Sequence, residues 1–218
     1  MAEQGDQMRE TPATIGRLGA TLRGAATAVR GFARNRRGVA ALEFALIAPL
    51  LLTLYFVTME TSQAIEANKK IGRVASMVAD LVAQQSDTTR TEVESIMRIG
   101  ESIMQPYNRT SPQITVTQIY MTNEATPKAR IEWSRRLANG SFSAGDVKNS
   151  FTTVPDKLRI ANTYLIRVEA KLNYRPVITW TADQKITIGL LSAFDNIGMA
   201  ERYYLRPRMS ANVTCDTC

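Results

Sequence analysis

The sequence predicts an α+β protein. A long N-terminal apolar helix should lead into a domain built on a small antiparallel sheet. Three observations carry this. Val39 to Met59 is an unbroken apolar run of 21 residues in which Glu43 is the only charge. The helical period continues past that run, in a polar setting, to about Gln85. Three stretches after residue 112 then alternate polar and apolar with period two, as half-buried strands do.

The apolar run comes first. As a helix it would be about 31 Å long, close to the ~30 Å hydrocarbon core of a bilayer. It therefore reads as a transmembrane segment over 39–59, touching the lipid bilayer all round. Pro49 lacks an amide donor and is a point where this helix could kink. The net charge of the chain is +7, and residues 1–38 contribute seven Arg against three acidic residues. The cluster Arg34, Arg36 and Arg37 immediately precedes the run. By the positive-inside rule it is a topology signal that keeps residues 1–38 cytoplasmic and sends everything after Met59 across the membrane. Because the basic cluster abuts a membrane segment, no nucleic-acid partner is expected. The run is longer than the apolar core of a secretory signal and no small-x-small site follows it, so an anchor is expected rather than ordinary signal-peptidase cleavage. Residues 1–14 read as irregular. Residues 15–32 carry a weak basic amphipathic period that would either lie on the inner leaflet or serve only as a topology-enforcing tail.

Residues 60–85 are expected to continue the same helix, with Ile65, Asn68, Ile71, Val74, Met77, Val78, Leu81 and Val82 at helical spacing and Ile71, Val74, Val78 and Leu81 on one stripe. Residues 86–218 should form the exported domain. Gln84 to Arg90 is read as a turn. Thr91 with Glu94 fits a capping box that opens a second amphipathic helix, ending before Pro106. Gln113–Thr122 and Lys128–Leu137 read as an antiparallel hairpin, with Ala129, Ile131 and Trp133 on one face. Residues 138–157 read as a long irregular connection. Asn162–Pro176 is a third strand, whose Arg167, Glu169 and Lys171 side should face water. Ile186–Ala193 is apolar but too short to span a bilayer as a helix. Tyr203–Arg208 reads as a short edge strand, since Pro207 argues against a central one.

Little in the chain suggests catalysis. There is no histidine, the commonest neutral-pH acid/base and zinc ligand. No glycine-rich phosphate loop appears, and no nucleophile has a recognisable activator. No enzyme activity, cofactor or metal is expected. Cys215 and Cys218 are the only cysteines. Their spacing is thioredoxin-like, but no helix follows to activate a thiolate. A small disulfide in an oxidising compartment is the plainer expectation.

Glu43 is the anomaly, because a carboxylate in a membrane segment requires a partner. Arg36-Arg37-Gly38-Val39-Ala40-Ala41-Leu42-Glu43-Phe44 resembles the processing site of type IV prepilins. More specifically, the chain resembles the TadE/TadG-like pseudopilins of tight-adherence (Flp-type) pilus systems. Asn173-Tyr174-Arg175-Pro176 and Tyr203–Arg208 weakly extend the resemblance. It implies a pseudopilin-like fold in the bacterial inner membrane, with a cytoplasmic N-terminus and a periplasmic domain. It also implies a cut between Gly38 and Val39 by a prepilin peptidase. Val39 would then become the N-terminus, with Glu43 as the fifth residue and Phe44 beside it as an assembly contact. The Glu43 carboxylate would neutralise the new α-amino group of a neighbour. The implied partners are other pilins or pseudopilins and the inner-membrane assembly platform, and the implied role is a minor pseudopilin or anchored assembly component, possible within the pilus itself. The 38-residue leader and the large domain after Met59 depart from the very small major pilin of such systems. The alternative is an uncleaved single-pass protein with a periplasmic binding or scaffold domain, its Glu43 paired with Arg36 or Arg37 or reaching the headgroups.

Overall fold

The computed structural model describes residues 31, 38–107, 109–176 and 197–218. The topology residues Arg34, Arg36 and Arg37, and the apolar stretch Ile186–Ala193, lie outside them. The chain divides into two compact units, Met1–Phe56 and Val57–Cys218. Helix α1, Val39–Ala83, is 45 residues long and continues through Pro49.

In the first unit α1 is apolar on every side and open on every side. Leu42, Leu46, Leu50, Leu51 and Leu54 are all exposed. A helix that is apolar all round needs a surrounding that is apolar all round. Thr53 returns its hydroxyl to the Pro49 carbonyl at 2.8 Å, a local bond that keeps a polar group satisfied on this surface.

In the second unit α1 becomes one-sided. Ala67, Ile71, Val74, Ala75, Val78, Ala79 and Val82 are buried, a stripe at i, i+4, i+7 and i+8 spacing. Of the stripe expected from the sequence, Ile71, Val74 and Val78 are buried and Leu81 is only partly so, and Asn68 faces out as expected. Small residues, Ala67, Ala75 and Ala79, fill the rest of the seam. Their size lets the helix approach the sheet closely.

Strand β1, Asp87–Thr88, lies within the stretch read as a turn. Helix α2 follows at Arg90–Ile103. Its capping box is Thr89 with Glu92, two residues earlier than the Thr91–Glu94 pair the sequence suggested. Both pairs fit the pattern. Thr89 has the extended backbone a cap requires (φ −110°, ψ 163°), and its N–H donates to Glu92 Oε2 at 2.8 Å. Gly100 lets α2 meet α1: a Cβ there would stand 2.7 Å from Val78 Cγ2 and 3.3 Å from Val74 Cγ1.

The main sheet holds β2 (Gln113–Met121), β3 (Ala129–Ala138), β4 (Ser141–Ala144), β5 (Phe151–Thr152), β6 (Tyr164–Tyr174) and β7 (Ile197–Leu205). Its order is β4-β3-β2-β6-β7, with β5 beside β3 and every pairing antiparallel. β7 is an edge strand, as expected, but it begins at Ile197 rather than Tyr203. The connection read as irregular contains β4 and β5. Asn139 and Gly140 both have positive φ (51° and 72°), the two-residue turn that closes a hairpin between β3 and β4.

A bulge changes the faces of β3. Gln118 pairs with Trp133 but Ile119 pairs with Ile131, so Glu132 is an extra residue. Trp133 and Leu137 therefore face the helices, whereas Ala129 packs on the opposite side of the sheet. The single face proposed for Ala129, Ile131 and Trp133 is thus split. The main core lies between the two helices and Ile114, Val116, Trp133, Leu137, Ile166, Val168, Ala170 and Leu172. A smaller core of Ile119, Met121, Ala129, Val154 and Leu165 fills the other face.

That second core corrects another expectation. The Arg167 side of β6 does not simply face water, because residues 145–154 fold over it. Arg167 is buried and donates to Asp146 Oδ2 at 2.5 Å and Thr152 Oγ1 at 2.8 Å. A buried guanidinium is tolerated only when paired in this way. β8, Thr214–Cys215, pairs in parallel with β1.

Candidate functional site

The start of α1 is built from Gly38 outward. Gly38 immediately precedes the helix and is exposed. A Cβ at Gly38 would meet nothing within 4 Å, and its φ is not in the positive region. Among the described residues, packing and backbone geometry therefore give no reason for a glycine here. Val39 is half exposed and Phe44 is 72% exposed. Glu43 is exposed among these apolar neighbours and has no ion-pair partner among the described residues. None of the most apolar 18-residue window of α1 is buried. A core helix of a soluble domain would hide that window. This one is long and apolar enough to cross a membrane.

A second acid was missed from sequence. Glu60 directly follows the apolar run and is 2% exposed. Tyr174 Oη donates to Glu60 Oε1 at 2.6 Å. Burial, then the hydrogen bond to Glu60 and its charge, push the Tyr174 hydroxyl well above the ordinary tyrosine range. The bond ties the first described turn of α1 in the second unit to the end of β6. Asn173-Tyr174-Arg175-Pro176 had drawn notice in the sequence, but nothing there pointed to Glu60 as its partner.

Cys215 and Cys218 are joined as a disulfide, with Cα atoms 5.5 Å apart. The loop is fastened to the start of α2. The Arg90 backbone N–H donates to Thr217 Oγ1 at 2.9 Å, and its guanidinium donates to the Thr217 carbonyl at 2.9 and 2.6 Å. Neighbouring Val213 accepts from the indole of Trp133 at 2.9 Å. No group of three or more acidic, cysteine or histidine side chains able to hold a metal occurs among the described residues.

The comparison with protein families turns on α1. Residues 38–80 match the TadE-like protein family, from the glycine itself through most of the buried stripe. Over that span the chain is similar to the family. No curated protein and no solved structure matches the chain. The matched segment contains the one helix among the described residues that is long and apolar enough to cross a membrane.

Proposed function

We propose that this protein is a minor pseudopilin, or a membrane-anchored component, of a tight-adherence pilus assembly or secretion system. A prepilin peptidase cuts it after Gly38. Arg34, Arg36 and Arg37 hold the leader on the cytoplasmic side, where the cut is made. The proposed organisation is a leader over 1–38, a span over 39–59, a helical extension over 60–85 and a periplasmic domain over 86–218.

The observation that carries this reading is Gly38. Among the described residues nothing packs on that position, yet the TadE-like match begins on it. A residue the fold does not require is explained by recognition from outside, and a peptidase that accepts only a side-chain-free residue supplies that recognition. Cutting there leaves Val39 with an α-amino group that is cationic at neutral pH. The Glu43 carboxylate of a neighbouring copy or another pseudopilin neutralises it. Two opposite charges placed together in lipid offset each other's desolvation, and a subunit out of register leaves both unpaired. Phe44, open beside Glu43, packs against the same neighbour. The contact therefore specifies register as well as attraction, and the assembly platform receives only subunits that satisfy it.

The test is intact mass and N-terminal sequencing of the protein from its native membrane, with and without the peptidase. The expected N-terminus is Val39, and Gly38→Ala should retain Met1 or Ala2 while leaving the fold unchanged. Glu43→Ala should still be cut but lose most of its incorporation into the assembly. Recovery of Met1 or Ala2 from peptidase-positive cells would replace this reading with that of an uncleaved anchor.

A further inference from the structure

We infer that the cavity beneath the Cys215–Cys218 loop is a binding site for a neutral hydroxyl-bearing ligand, a single sugar residue, whose hydroxyls are read by Gln118, Asp216 and their neighbours. The cavity holds about 150 Å³ and is lined by Gln118, Glu132, Trp133, Lys148, Asn212, Thr214, Cys215 and Asp216. That is room for several waters or one sugar ring, and small beside the ~300–1,000 Å³ clefts of drug-sized ligands.

The floor of the cavity is the decisive part. Gln118 is 1% exposed. Its Oε1 accepts from the Trp133 indole, which fixes the orientation of the amide. Its Nε2 then lies buried with no hydrogen-bond partner. A buried donor without an acceptor is destabilising, and in a native fold it calls for an explanation. The bulge supplies a second indication. The extra residue Glu132 stands on the cavity side with Gln118 and Trp133, and bulges commonly re-aim a side chain next to a site.

The lining chooses the ligand class. Glu132 is already engaged by Arg130, at 2.8 Å from Nη2. That leaves Asp216 and Lys148 as opposite charges at an exposed rim, so no net field selects an ion. Two carboxylates, one of them paired, are too few to hold a hard cation, which takes six or more oxygens. What remains is a mixed array: amide donors on Gln118 and Asn212, an ammonium donor on Lys148, a hydroxyl on Thr214 and acceptors on Asp216 and Glu132. A hydroxyl group both donates and accepts, so a ring bearing several satisfies such an array without charge. This site lies in the second unit and does not depend on a cut at Gly38.

The full chain in detergent is titrated with the methyl glycosides of glucose, galactose, mannose and N-acetylglucosamine, with the corresponding free sugars and with calcium chloride, by calorimetry and saturation-transfer NMR. At least one sugar should bind with Kd of about 1 mM or tighter. Gln118→Met keeps the volume, and Trp133 keeps its bond to Val213, so the fold should survive while binding falls at least tenfold. Asp216→Ala, at an exposed position, should weaken binding similarly with an unchanged melting temperature. If Gln118→Met does not fold, Asp216→Ala decides. Equal binding of glycosides and free sugars identifies a glycan end as the ligand, and binding of free sugars alone identifies a soluble sugar. No sugar binding, binding of calcium only, or sugar binding that survives both substitutions would overturn the site.

Discussion

The two halves of α1 share one helix and almost nothing else. From Val39 to Phe56 the apolar residues surround the axis, and large side chains such as Leu50 and Leu54 stand open. From Glu60 to Ala83 the apolar residues contract to a stripe, and Ile71, Val74, Val78 and Val82 are fully buried. The backbone hydrogen bonding is the same in both. The difference lies in how the side chains are distributed around the axis, and that distribution decides which solvent each half requires. It also decides how each half fails. A charge placed in the first half harms insertion, and a charge placed in the second harms folding.

The pair Ile71→Asp and Leu50→Asp separates these outcomes most strongly. Ile71→Asp buries an unpaired carboxylate and should unfold the domain, a cost beyond about 4 kcal/mol, seen as loss of the cooperative thermal transition. Leu50→Asp should leave that transition in place and release the protein from membranes on carbonate extraction. Gly100→Ala tests the close approach of the two helices. Val78 cannot easily yield inside the core, so overpacking of about 1–3 kcal/mol, less about 1 for the better helix former, should leave a net loss of up to about 2 kcal/mol in a denaturant titration.

Tyr174→Phe removes the donor to Glu60 and should cost about 1–3 kcal/mol, since it leaves a buried carboxylate with one bond fewer. It also has a pH signature. The Tyr174 hydroxyl holds its proton more tightly in the folded state than in the unfolded one. The stability it contributes is thus complete below the ordinary tyrosine value near 10 and is lost as the pH rises above it. The wild type should lose stability above pH 10, and Tyr174→Phe should flatten that loss. Part of the slope should remain through Tyr164, whose hydroxyl is also raised, chiefly by burial. The smallest expected effect is Thr89→Ala, which removes the cap of α2 at about 1 kcal/mol with no change in membrane behaviour.

What the sequence made legible follows the same division. The first half of α1 was readable because uniform composition leaves one interpretation. The second half was readable in kind: Ile71, Val74 and Val78 were assigned inward by period and are buried, while the alanines that permit close contact gave a weaker signal. The strands were readable by alternation until one extra residue, Glu132, broke the parity of β3. No local feature of Arg130-Ile131-Glu132-Trp133 marks that bulge, because it depends on which residue Gln118 meets across the sheet. Asn139-Gly140 was a hairpin signal in plain sight, submerged in a stretch otherwise rich in loop residues. The burial of Arg167 and of Glu60 was not legible, since each depends on a partner far along the chain: Asp146 and Thr152 for one, Tyr174 for the other. At the candidate processing site spacing supplies the residues of the proposal, whereas the open surroundings of Gly38 among the described residues are visible only in the fold.

The bonds between Arg90 and Thr217 join residues 127 positions apart, and Trp133 reaches Val213 across 80. Such contacts are slow to form, because a long loop must close before they are made. They also impose an order on the birth of the domain. As the chain is synthesised, α1, α2 and β2 to β6 are all made before residues 213–217. Until those residues arrive, β1 lacks its partner and the Trp133 indole lacks the Val213 carbonyl. The domain therefore reaches its closed form only once residues 213–217 have been made, so its core stays open at that corner until late in synthesis.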